Sequence, residues 1–99
     1  MDEALIAAVS ASVLRRRGIV WEPGTPLDTQ AREAAAAAIG LLRSFAGDGS
    51  LSLDSGEGFD LAAVAAWYLM EQRRAEFLAE YRQELLMLRM QGAVEHADN

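Results

Sequence analysis

The sequence predicts an all-α fold: a small bundle of about three helices with a long C-terminal helix, and room for a short extended or hairpin loop before it. Three observations carry this. Apolar residues recur at helical spacing in three separate segments. Alanine, the best helix former, supplies much of the 52% apolar content. The 8 glycines and 2 prolines fall mostly between those segments, where turns belong. A chain of 99 residues is a single domain whose core must be compact or shared with a neighbour.

The first helix is expected over about 2–17. Leu5, Val9 and Val13 form an apolar stripe flanked by Ile6 and Leu14. Asp2 and Glu3 sit at its positive end, and Arg15, Arg16 and Arg17 at its negative end, so the arginines complement the helix dipole. The same run is also a candidate contact for a phosphate or a partner. Gly18 suits the position just past the helix end. The segment "IVWEPGTP" then reads as an extended connection, with Trp21 either a lid on the core or an anchor at an interface.

The second helix, about 26–46, has a written start: Thr25 to cap, Pro26 at the first helical position and Asp28 in the first turn. Its stripe is Ala31, Ala35, Ala38, Leu42 and Phe45, thin enough for another backbone to approach closely. Gly47 ends it. The stretch 47–58, "GDGSLSLDSGEG", is a glycine- and serine-rich loop in which Ser50, Leu51, Ser52 and Leu53 alternate like a short extended piece. Such a composition favours a loop that orders only when a partner supplies contacts.

The third helix is expected over about 60–91, because no proline or glycine interrupts that span. It would be roughly 48 Å long at 1.5 Å per residue. A compact globule of this size is only about 35 Å across, so an unbroken rod would project beyond its own subunit. The alternative is a break near 71–74, where the pattern is most polar. Val64, Trp67 and Tyr68 complete the expected core with Leu5, Val9, Val13, Leu42 and Phe45. The tail 92–99 is expected to fray. Phe77, Tyr81, Leu85 and Leu88 make one stripe, while Leu78, Leu86 and Met90 lie on other faces and Met87 on a further one. A helix apolar on most sides is normally covered on most sides, and a partner surface is the economical cover.

Composition excludes several function classes. The net charge is −6 and every one of the 9 basic residues is arginine, which disfavours non-specific nucleic-acid binding as a main activity. No cysteine is present, so disulfides and thiolate metal sites are excluded. No apolar run approaches a membrane span and no leader pattern opens the chain, which predicts a soluble, intracellular protein. The loop invites comparison with a calcium-binding EF-hand. With Gly49 as the loop's glycine, however, positions one, three and twelve fall on Ser44, Ala46 and Ser55, without the required carboxylates. His96 is the only histidine and has no partners for catalysis or metal binding. Glu76, Glu80 and Glu84, four residues apart, read as a solvated acidic face or one meeting a neighbour's arginines. No enzyme activity, metal or cofactor is predicted.

The segment "RRAEFLAEYRQELLMLRMQ" resembles the C-terminal helix of small bacteriophage head–tail connector proteins, the adaptor or head-completion class. The family pattern of an aromatic, then Glu-Leu and Leu-Arg, stands here as Tyr81, Glu84, Leu85, Leu88 and Arg89. The order of elements fits as well: a short helix ending in "LRRRGI", an alanine-rich helix closing with "FAGD", a loop, and a long helix with "AWYL". The resemblance implies a structural subunit that assembles with itself into a ring of about a dozen copies. The ring would join the portal protein to a tail-proximal connector or stopper protein in the virion, after assembly in the host bacterial cytoplasm. DNA would pass through the channel without specific binding, and no membrane is involved. Phe77, Tyr81, Glu84, Leu85, Leu86, Leu88, Arg89 and Met90 are then the subunit-interface candidates. The alanine run 34–38 and the arginine cluster depart from the family pattern and leave open which surface meets portal and which meets tail.

The rival reading is a helical interaction module outside phages: a small secreted helical hairpin, a chaperone or an antitoxin-like regulator. Secreted hairpins carry a Trp-x-Gly turn, whereas "WEPG" sets glycine at another offset. Their tail signal places an acid four residues after a tyrosine, where Leu85 stands after Tyr81. An antitoxin would need a DNA-binding module or a disordered toxin-binding tail, and neither is evident.

Overall fold

The computed structural model describes residues 3–18, 22, 24–47, 53 and 56–97, with side chains as far as Met90. Most of the described residues lie in five helices: α1 (Glu3–Arg16), α2 (Pro26–Ala46), α3 (Gly56–Met70), α4 (Arg74–Glu80) and α5 (Arg82–Ala97). The all-α expectation holds, but the count of three helices and the long C-terminal helix do not. Trp21 and most of the predicted extended piece at 50–53 lie outside the described residues; Leu53 alone is described there, and it is buried.

The first two helices end where their local chemistry says they should. The hydroxyl oxygen of Thr25 accepts from the backbone N–H of Asp28 at 3.3 Å, and Pro26 opens α2. The Asp28 carboxylate is buried, accepts from the backbone N–H of Gly24 at 3.1 Å, and is held by Arg32 at 3.2 Å. At the far end Gly47 takes φ 69° and donates its N–H to the carbonyls of Arg43 and Ser44. A left-handed residue there costs glycine nothing.

Helix α2 is the centre of the molecule: α1, α3 and α5 all pack on it, and α1 also meets α3. Its buried face is Ala31, Ala34, Ala35, Ala38, Ile39, Leu42 and Ala46. Facing it, α3 contributes Ala62, Ala63, Ala65 and Ala66, all buried. Alanine on both helices lets the two backbones come close and bury surface without long side chains. The bulkier core comes from Leu5, Val9, Val13 and Leu14 of α1, Leu42, Leu53 and Phe77. Val64, Trp67 and Tyr68, expected at the centre, are half-buried and pack on its edge. Phe45, also expected in the core, is 37% exposed: it keeps its place on the stripe, but in the last turn of α2 it lines an open cleft instead of meeting a packed helix.

The predicted rod is broken twice. The first break, at 71–73, falls in the region named above as the alternative. It is a Schellman cap. Arg73 N–H donates to the Tyr68 carbonyl at 2.8 Å and Gln72 N–H to the Leu69 carbonyl at 3.1 Å, with Gln72 at φ 58°. Glutamine occupies the position that glycine usually fills. The second break is a bend at Tyr81. Backbone bonds of the α-helical type run from Tyr81 N–H to Phe77 and from Leu85 N–H to Tyr81, so the chain turns there without losing its ladder. The chain therefore folds back on itself, with a radius of gyration of 13.5 Å. That is about the value for a compact domain of this length, and the rod that would outreach its own subunit does not form. Helix α3 also starts earlier than expected, at Gly56, and α5 keeps a helical backbone through 92–97 where a frayed tail was expected.

Candidate functional site

The two breaks decide how α5 presents its side chains. Tyr68, Phe77 and Tyr81 form a ring cluster beside the first break: Phe77 stacks on Tyr81 at 5.1 Å, and Tyr68 meets Phe77 at 5.8 Å and Tyr81 at 5.9 Å. Phe77 is fully buried, which fixes α4 on α3. The Tyr68 hydroxyl donates to the Glu80 carboxylate, and this bond pushes the phenol up to about 12. Arg73 covers the other side of that ring at 4.7 Å and pairs with Glu76 and Glu71. The bend at Tyr81 then turns Leu85 and Leu88 onto α2, where they are 2% and 8% exposed.

At 100° per residue, Leu86, Met87 and Met90 lie on the side of α5 opposite Leu85 and Leu88. They are 49%, 66% and 68% exposed. Helix α5 thus carries two apolar stripes back to back, one sealed in the core and one facing outward. Arg82 and Arg89 flank the outward stripe on one edge and Glu84 on the other, all three exposed. Ser44, Phe45, Gly47 and Arg89 line a shallow open cleft of about 310 Å³ between the end of α2 and the Arg89 edge of α5.

The interface candidates therefore divide. Phe77, Leu85 and Leu88 are core, Tyr81 is half-buried in the ring cluster, and Glu84, Leu86, Arg89 and Met90 are exposed. Met87 lay outside that set, yet it is one of the most exposed apolar side chains of the outward stripe. Its spacing to Met90, one helical turn, was the available signal. The arginine cluster is largely used within the chain. Arg16 pairs with Asp60 at 3.1 Å; Arg17 pairs with Glu71 at 3.9 Å and lies over Trp67 at 5.9 Å. Both arginines tie the end of α1 to α3, while Arg15 is exposed.

Glu76, Glu80 and Glu84 are all exposed, and two of the three are engaged within the chain. Glu76 is taken by Arg73 and Glu80 by the Tyr68 hydroxyl, while Glu84 lies exposed on α5, beyond the bend. Among the described residues no group of three or more acidic or histidine side chains is placed to hold a metal ion, and no helix is long and apolar enough to cross a membrane. The described side chains that bury a polar atom all find a hydrogen-bond partner. No protein-family model matches the chain, and no curated protein or solved structure is similar to it.

Proposed function

We propose that this chain is a structural assembly subunit whose outward α5 stripe docks on a neighbouring copy, within a head–tail connector ring of a phage or prophage. The observation that carries the assembly part is the second stripe of α5, Leu86, Met87 and Met90, exposed on the far side of a helix whose other stripe is already buried. Large exposed side chains grouped on one face mark an interaction surface more often than scattered ones do. The connector part is supported by the pattern Tyr81, Glu84, Leu85, Leu88 and Arg89 and by the order of elements. The net charge of −6 suits a channel that DNA traverses without being gripped.

The division of α5 gives the family-like pattern a physical sense. Tyr81, Leu85 and Leu88 hold the helix to its own subunit, which leaves the intervening positions for the neighbour. The portal and a tail-proximal protein are the further partners of this reading, and the protein acts without chemistry of its own. Light scattering of the purified chain, alone and with portal protein, tests it. Rings, or monomers that assemble on portal, are expected. A strict monomer that never binds portal contradicts it.

A further inference from the structure

We propose that the break at 71–73 is an exchange hinge: opening it lets the α4–α5 arm of one copy dock on the α2–α3 body of the next. The inference rests on the self-association proposed above, though not on which assembly the copies build.

The local sequence disagrees with the local structure at this point. Met70, Glu71, Gln72, Arg73, Arg74, Ala75 and Glu76 are nearly all strong helix formers, and nothing among them stops a helix. The chain nevertheless turns, and Gln72 takes φ 58°, a left-handed conformation that side-chain-bearing residues adopt at a cost. The turn is held from outside. Phe77 is inserted into the core, Leu85 and Leu88 lie on α2, and Arg73 and Glu71 make ion pairs at the surface. The ion pairs are exposed enough to add little. The break is kept, therefore, mainly by where the arm ends up.

An arm held that way can end up in the same place on another copy. With Gln72 helical, α3 and α4 become one helix and the arm, roughly 36 Å long at 1.5 Å per residue, points away from its own body. Phe77, Leu85 and Leu88 then fill the vacant site of a neighbour with the contacts they make at home. Exchange of an identical element needs no new interface to be invented, and short strained hinges invite it. The buried contacts are equal on both sides of this equilibrium, so smaller terms decide it. Relief at Gln72 favours the exchanged form, and lost freedom on association opposes it. The outward stripe supplies the remainder: it stays exposed on the arm after exchange and is free to meet a further copy. Arms passed from each copy to the next make a heterologous chain, which closes into a ring if the rotation from copy to copy closes and otherwise stays open.

The test uses the absence of native cysteine. Phe45→Cys and Arg89→Cys single variants change two exposed residues that line one cleft between α2 and α5. The two variants are unfolded together, refolded at high concentration and treated with a short bis-maleimide. The expected result is a covalent pair joining the two variants in the assembled fraction. Adding Gln72→Gly to both should lower its yield about tenfold, because glycine favours the closed turn and disfavours the continuous helix. Assemblies without the mixed pair, while a control chain carrying both Phe45→Cys and Arg89→Cys cross-links within itself, overturn exchange and leave docking by the outward stripe standing. Failure to assemble at any concentration overturns both. A mixed pair whose yield is unchanged or raised by Gln72→Gly overturns the hinge.

Discussion

The inner and outer stripes of α5 contain the same kinds of residue and have opposite fates. Leu85 and Leu88 are sealed against α2, while Leu86, Met87 and Met90 stand in solvent. Hydropathy does not separate them; direction does. The direction is set upstream, at Gln72 and Tyr81, where the chain turns so that one side of α5 meets the body. The side left over is equally apolar, and a fold that needed only to be stable would have gained nothing from making it so. The inner stripe holds the subunit together, and the outer one is left for a neighbour.

Substitutions at the inner stripe should have the largest effect. Leu85→Asp removes a buried side chain and leaves a carboxylate without a partner, so we expect a loss of about 3–5 kcal/mol in urea unfolding. A small domain has little more than that to lose. The midpoint should fall sharply or the protein should fail to fold. If Leu85→Asp were as stable as the parent, the inner stripe would not be core.

The turn that aims the two stripes comes next. Gln72→Gly should stabilise the closed monomer by about 0.5–1 kcal/mol, since relief of the left-handed backbone outweighs the freedom glycine gains when unfolded. A destabilised variant in the same unfolding measurement would mean that Gln72 is not strained. The ring cluster beside the turn offers a pH test. The Tyr68 phenol is raised from 10.0 to about 12 by its bond to Glu80. Below pH 10 the phenol is protonated in folded and unfolded chains, and the bond's contribution is fully present. As pH rises from 10 towards 12 the unfolded phenol ionises first, and that contribution is lost. Glu80→Gln should bring the tyrosinate absorbance step of Tyr68 back towards 10. An unchanged step would separate Glu80 from the turn.

The outer stripe should matter least to stability. Met87→Asp with Met90→Asp should change unfolding by no more than about 0.5 kcal/mol per site, as surface substitutions do. A large loss would place these side chains in the core and abolish the distinction between the stripes.

Much of the first half of the fold was legible because its boundaries are local. Thr25, Pro26, Asp28 and Gly47 cap α2 through bonds within a few residues of one another, so spacing alone locates them. The second half has no such marks. The turn at Gln72 uses a residue that rarely ends a helix, and it forms because Phe77, Leu85 and Leu88 gain burial far from the turn itself. Periodicity cannot register a helix end of that kind, and it read three helices as one rod. The polar stretch 71–74 was the only hint, and the break lies there. The same limit applied to the surface. The sequence marked α5 as apolar on too many sides, but which leucine turns inward depends on the bend at Tyr81. In the sequence Trp67 and Tyr68 outweigh the alanines of α3, although small residues facing small residues are what bring α2 and α3 together.

The most direct measurement is the mass in solution, by light scattering across a concentration series, of the parent chain and of the Met87→Asp/Met90→Asp variant. The parent should assemble, and the variant should fold equally well, by circular dichroism and urea midpoint, but stay monomeric. A folded variant that assembles as readily as the parent would contradict the claim that the outer stripe of α5 is the assembly surface.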